Sequence, residues 1–410
     1  MGGGDAADSA EDGGYRENFK PDIAVPVHWS SMRAVIQSSF SEVSRDSWNT
    51  LLSRQAHPTP FMDWRFLHAL ESSGAAAGAS GWQPLPLTIH DDDDHLVGCA
   101  ALYAKHHSYG EYVFDWAWAQ AYESAGLSYF PKLLVASPFS PIPGSRLIAS
   151  DRRWRQMLIS GIVEQAQQAG LSSAHVLFPD AQDLDMLRGE GWLIRDNVQF
   201  HWHNPGFRDF DDYLGSLTQP KRKKVKAERR KVREAGVSTE VVCGHAIVDA
   251  DWDFFVRCYR QTYREHGATP YLNAAFFKTL AQTMPEHLAL CVAKREGQPI
   301  ASALLIHDAD VLYGRYWGAI ERVDCLHFEV AYYSPIAWAI AQELKRFEGG
   351  AQGEHKLARG FSPCRTHSAH WLSDARFRDA VERFLEREHA GVERYVDELE
   401  SRSPLRSTRD

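Results

Sequence analysis

At the usual ~150 residues per domain, a chain of 410 residues holds two to three domains, which excludes a single small module. Its 44% hydrophobic and 24% charged residues are those of a globular protein, excluding collagen, coiled coil and global disorder. A net charge of -9 repels nucleic acid and anionic membranes unless positive charge is concentrated locally.

No run approaches the ~18 apolar residues of a membrane span, and the start MGGGDAADSAEDGGY lacks the basic and apolar regions of a signal peptide. The six cysteines form no CxxC pair, which suits reduced thiols and a cytoplasmic location. Residues 1–22 read as a disordered tail. RAVIQSSFSEVSRDSWNTLL then predicts a strand, a turn and a short helix. Apolar residues at 61, 62, 66, 67 and 70 predict an amphipathic helix that Gly74 ends. PLPLTIH and HLVGCAALYAK form a hairpin around Asp91 to Asp94; four consecutive carboxylates cannot converge as calcium ligands do, so the run reads as a solvated turn.

YVFDWAWAQAYESAG reads as an aromatic strand end running into a helix, PKLLVASPF as a strand, and Asp151 to Ala169 as a helix with Trp154, Leu158, Ile162 and Ala166 on one face. A strand at AHVLFP, a short helix and the closing strands in WLIRDNVQFHWHN complete a mixed α/β half, residues 23–207. The second half, residues 208–404, repeats the plan. LTIHDDDDHLVGCAAL (87–102) and LCVAKREGQPIASALL (290–305) are both strand, polar turn, strand, at a constant offset of 203, and YVFDWAW and LYGRYWGA follow them. A helix from Ala375 to about Leu399 closes the chain.

Three constellations carry chemistry. KRKKVKAERRKVR concentrates nine cations between Lys221 and Arg233, and Val225 and Val232, seven apart, give a helix with a narrow apolar seam. Its candidates for an anionic ligand, whether a phosphate chain, a CoA-type carrier or RNA, are Lys221, Arg222, Lys223, Lys224, Arg229 and Arg230; a solvated helix is the plain alternative. The stretch 351–374 gathers Glu354, His355, Lys356, Arg359, Arg365, His367 and His370. Acyl transfer to an amine needs a base, donors for the oxyanion and cations for a phosphorylated carrier, and all three residue types occur here. Strand alternation would place Glu354 and Lys356 opposite His355. Cys364, His367 and His370 supply only three zinc-type ligands, so no metal is expected. The aromatic strand with Arg315, Tyr316 and Trp317 lines either a cleft or a core, and SPFSPIPGSR with Arg146 forms either an anion-binding junction or an ordinary loop. Phosphate-loop, dinucleotide and nucleophile-elbow motifs give no support to NTPase, dehydrogenase or hydrolase readings.

VFDWAWAQAYESAGLSYFPKLLVASPFSPIPGSRLI, KRKKVKAERRKV, LYGRYWGAIE, LHFEVAYYSPI and GAQGEHKLARGFSPCRTHSAHW together resemble the Fem-like predicted N-acyltransferases of the acetyltransferase (GNAT) superfamily, over roughly residues 30–404. The resemblance implies an α/β fold of two tandem acetyltransferase-like domains, each a mixed, mostly antiparallel sheet flanked by helices. It implies acyl or aminoacyl transfer to a small-molecule or peptide amine in a cleft between them. The donor would be an acyl-CoA, a carrier protein or an aminoacyl-tRNA, with no permanently bound cofactor. Matching positions are Asp115, Trp116, Trp118, Pro138, Pro141, Gly144 and Arg146 in the first half. In the second they are Arg315, Tyr316, Trp317, His327, Glu329, Gln352, Glu354, His355, Lys356, Arg359, Ser368 and His370. Glu354, His355 and His370 are the expected proton-handling residues. Arg146, Asp115, Trp116, Trp118, Arg315, Tyr316, Trp317, Lys356 and Arg359 are the expected substrate contacts. Neither half carries the Gln/Arg-x-x-Gly-x-Gly loop of single-domain acetyltransferases, so a CoA donor follows from the superfamily alone. A tRNA- or phosphometabolite-binding module without catalysis is the alternative expectation.

Overall fold

A computed structural model describes residues 27–29, 32–350 and 353–405; the expected tail and Gln352 lie outside the described residues. The first half contributes β1 (Val27–Trp29), β2 (Met32–Ile36), β3 (Trp82–Pro84), β4 (Leu87–His90), β5 (Leu96–Ala100), β6 (Leu102–Lys105), β7 (Lys132–Val135), β8 (Ile148–Ala149), β9 (Ser173–Leu177) and β10 (Leu193–His203). The second contributes β11 (Val237–Cys243), β12 (Leu288–Arg295), β13 (Gln298–His307), β14 (Val311–Ala319), β15 (Arg346–Glu348) and β16 (Ser362–Leu372). Among the described residues they form a five-stranded sheet, β1-β2-β4-β5-β8, and an eleven-stranded sheet, β11-β12-β13-β14-β15-β10-β16-β9-β7-β6-β3.

The repeat is visible in the pairing. β4 and β5 form one antiparallel hairpin and β12 and β13 the other. β14 joins the second hairpin directly, against β13, whereas the first hairpin crosses after β5 into the large sheet as β6, which β7 joins; β7 and β14 are each followed by a helix and a parallel partner, β9 or β15. This is the tandem acetyltransferase-like α/β plan. The closing strands are exchanged: β10 of the first half lies between β15 and β16, and β16 of the second lies between β10 and β9.

Local chemistry explains the helices. Helix Arg152–Gln168 starts where the Asp151 side chain accepts from the Trp154 amide, and it buries Trp154, Leu158, Ile162 and Ala166 against the sheet. The basic helix Gln219–Glu234 opens with Pro220 in its first turn and buries Val225, Glu228 and Val232. Burying each valine stabilises the contact by roughly 1.5–3 kcal/mol, and both sit at 1% exposure in the second-half core.

Two expectations are corrected. YVFDWAW is not a strand end: residues 112–115 are irregular and a helix runs Trp116–Ser124, because Asp115 turns inward to an ion pair with Lys132. The third strand of the first half is therefore β7. Glu354–Arg359 is not extended either; it is one 3-10 helix between Gly353 and Gly360, both at positive φ. Alternation of Glu354 and Lys356 against His355 does not apply there.

Candidate active site between the two halves

β14 and β15 pair at only three positions, from Val311 with Arg346 to Tyr313 with Glu348. They part at Gly314 and Gly349, where a side chain would press on the core: a Cβ at Gly314 would stand 3.1 Å from the Phe347 ring and one at Gly349 3.0 Å from the Phe361 ring. Next to this opening, Leu304 faces Tyr316 and Leu305 faces Gly314, so Arg315 is the extra residue of a bulge. A bulge re-aims its side chain. The Arg315 guanidinium crosses to the first half, donates to the Phe139 carbonyl and lies 5.3 Å from the ring centres of Phe61 and Tyr316. It lines a cleft of about 340 Å³ together with Tyr109, Tyr112, Phe114 and Trp116 of the first half and Tyr271 and Gly350 of the second.

The 3-10 helix stands on the other side of the opening. Lys356 is buried, and its Nζ donates to the Gly350 carbonyl at 2.8 Å. Burial pushes its pKa down to about 7. His355 is exposed, with Nε2 3.1 Å from the Tyr332 hydroxyl. Partial burial, then the charges of Arg359 and Lys356, lower its pKa, so it is neutral at pH 7. Trp317 stacks on His327 at 4.3 Å, and His327 is held down to about 4, chiefly by burial.

Arg359 is buried, lies 3.5 Å above the Phe328 ring centre, and donates to the His355 carbonyl at 2.7 Å and to Glu228 Oε2 at 2.9 Å. The Tyr333 hydroxyl donates to the same carboxylate. Arg359 is thus committed to protein groups and ties the site segment to the basic helix. On that helix Arg229 grips both oxygens of Glu329, at 2.8 to 3.1 Å. Lys221 and Arg222 are half-buried, and Arg222 donates to the Leu217 carbonyl. Lys223, Lys224 and Arg230 are exposed, and Lys223, Lys226, Arg230 and Arg233 form one outward stripe at helical spacing.

Other expected residues lie elsewhere. Glu354 faces the C-terminal helix Ala375–Ser401, accepting from the Tyr395 hydroxyl at 2.9 Å. His370 is buried in the first half, 2.7 Å from His175 through their Nδ1 atoms and 2.8 Å from Ser368, with Trp118 edge-on to it. Burial, then the neighbouring His175, holds its pKa well below the usual histidine value. Arg146 is fully buried and donates to the Leu177 and Ile142 carbonyls beneath its loop; the next helix is capped by Asp151, so the loop presents no helix end to an anion. Cys364, His367 and His370 do not converge, because strand alternation puts His367 on the opposite face, where it meets Asp196 at 2.7 Å.

The structure adds a buried network unforeseen in the sequence. Lys132 donates to Glu111 at 2.9 Å and to Asp115, which also accepts from the Tyr129 hydroxyl at 2.6 Å. Burial raises Glu111 to about 7, whereas at Asp115 the Lys132 ammonium overcomes burial and holds the carboxyl below its usual range. Lys105 is buried 4.0 Å above the Trp82 ring centre, and burial lowers it to about 7. The available signal was a lysine inside each apolar strand, LYAK and KLLV.

The fold is that of a tandem acetyltransferase-like protein, with a cleft lined from both halves beside the β14–β15 opening. By its sequence the chain belongs to the FemAB-like family, described as peptidoglycan biosynthesis/recognition, which it matches over residues 39–407. Membership of this family supports transferase activity in general. No curated protein matches the chain. Its fold is similar to the crystal structure of FemX, at 11% identity and a TM-score of 0.53, covering 83% of this chain and 98% of that one. L-PGS from Bacillus licheniformis is similar at 9% identity and TM-score 0.51, over 84% of this chain and 96% of that chain. The C-terminal domain (DUF2156) of a candidate lysylphosphatidylglycerol synthetase from Agrobacterium fabrum is similar at 9% and 0.51, over 85% and 96%.

Proposed function

We propose that this protein is an N-acyltransferase that moves an acyl or aminoacyl group from a thioester or ester donor to an amine held in the cleft between the halves. One observation carries the reading. The opening between β14 and β15 faces that cleft, whereas the equivalent space beyond β7 and β9 is filled by the buried loop Ala136–Gly144, which bridges Pro179. The second half therefore holds the reaction centre.

His355, neutral and hydrogen-bonded to Tyr332, takes a proton from the acceptor's ammonium and so frees the amine lone pair for attack. Lys356, at the Gly350 carbonyl, faces the developing oxyanion. The outward cations of the basic helix hold the phosphates of the donor, a CoA, a carrier protein or an aminoacyl-tRNA, none of them permanently bound. No helix among the described residues is long and apolar enough to cross a membrane, and a cytoplasmic location suits each of these donors.

The test is mass-spectrometric detection of amine acylation across acyl-CoAs, acyl-carrier protein and aminoacyl-tRNA. His355→Ala should abolish turnover with donor binding retained. Replacing Lys223, Lys226, Arg230 and Arg233 by Gln should weaken donor binding and flatten its salt dependence by about 0.7–0.9 log units per lost phosphate contact. A second reading, a phosphate- or tRNA-binding module without turnover, is favoured by the distance of Glu354 and His370 from the opening. Binding that persists with no donor consumed would support it.

A further inference from the structure

Among the described residues, Arg315 is the one side chain on the lining of the cleft that is charged at neutral pH, in a molecule of net charge -9, and the remaining large side chains there are aromatic. Its guanidinium is held in place from three sides, by the Phe139 carbonyl and by the Phe61 and Tyr316 rings, while one N–H of its fork serves that carbonyl. A guanidinium fixed in this way pairs with a carboxylate through two parallel hydrogen bonds. Tyr109, Phe114 and Trp116, at 54%, 56% and 42% exposure, rim the cleft from the segment inserted between β6 and β7, and Tyr109 and Trp116 meet edge to face at 4.9 Å. Exposed aromatics at such a rim offer apolar area with little side-chain entropy to lose. The volume of about 340 Å³ lies at the small end of ligand pockets and suits a small molecule rather than a polymer.

We infer that the acceptor amine belongs to an apolar or aromatic α-amino acid, whose carboxylate pairs with Arg315 and whose side chain packs among Trp116, Tyr109 and Tyr271. Its amino group then lies toward the β14–β15 opening, so the product is an N-acyl amino acid. In that reaction the ammonium first gives one proton to the protein and on to solvent, the freed amine nitrogen forms a bond to the donor carbonyl carbon, the bond from that carbon to the thioester sulfur or ester oxygen breaks, and the second nitrogen proton passes to the leaving thiol or alcohol. This assignment rests on the N-acyltransferase reading for the reaction, but binding can be measured without it.

Calorimetric titration of the full chain with L-phenylalanine, L-phenylalaninamide, L-alanine and L-glutamate tests the assignment. Phenylalanine should bind more tightly than its amide by about tenfold or more, the loss expected when a charged hydrogen-bonding partner is removed. Alanine and glutamate should bind more weakly than phenylalanine. Arg315→Gln should erase the preference for the acid over the amide, with Arg315→Lys intermediate because it keeps charge without the fork. Trp116→Ala, at the exposed rim, should weaken phenylalanine and leave alanine unchanged. Equal binding of acid and amide, tighter binding of glutamate, or no binding of phenylalanine at millimolar concentration would overturn the assignment. Phenylalanine that binds as described but is never acylated with any donor would leave the assignment standing and remove the transferase reading. Acylation of other amines, with phenylalanine inert and unbound, would do the reverse.

Discussion

A strand lysine that stays charged when buried needs opposite charge beside it, and Lys132 has two carboxylates within reach. Replacing it by Met leaves Glu111 and Asp115 buried without their cation, so Lys132→Met should cost about 3–5 kcal/mol, read as a lower urea midpoint at unchanged slope. Lys356 is also buried, with its Nζ on the Gly350 carbonyl, and burial sets its folded pKa near 7, below the unfolded value of 10.5. The unfolded chain binds the extra proton between those values. The contribution of this residue to stability is full above pH 10.5 and is lost as pH falls toward 7. Wild-type protein should therefore gain stability relative to Lys356→Met between pH 7 and 9, by up to about 1.4 kcal/mol per pH unit, as measured by denaturant titration at both values. Trp116 and Trp118 show how far single residues were legible. Two positions apart on one helix, they face different ways, Trp116 to the cleft and Trp118 to His370. Their aromatic character was evident from the sequence, but the direction each takes depends on what the helix packs against.

At the scale of elements, the basic helix was predictable from Val225 and Val232, because a narrow apolar seam at seven-residue spacing admits one face to the core. The role of Glu228 was not. Lying on the same buried face, it joins Arg359 and Tyr333 and so anchors the 3-10 helix that carries His355 and Lys356. Glu228→Gln should cost about 1–3 kcal/mol and speed hydrogen exchange at residues 354–359 more than in the basic helix itself. Uniform acceleration across both elements would rule out a specific anchor. The 3-10 helix also had a local signal, glycines at both ends of GEHKLARG, and positive φ at Gly353 and Gly360 explains why a strand cannot run through them.

On the scale of the whole molecule, the exchanged strands β10 and β16 join the halves into one sheet. Removing either half strips a partner from both edges of the other's closing strand. Fragments 1–207 and 208–410 should each lack a cooperative unfolding transition and regain a single one when combined, followed by near-UV circular dichroism; a native transition in either fragment alone would contradict this. The amino-acid sequence by itself determined the helix and hairpin periodicities, the internal repeat and the family, because these depend on backbone geometry over short windows and on residue order. Only the tertiary structure decided which residues meet. In a strand rising 3.2–3.4 Å per residue, the eight steps from Ser362 to His370 carry the histidine roughly 26 Å, out of the segment of His355 and into the core of the other half. Strand pairing is non-local, and no spacing along the chain records it.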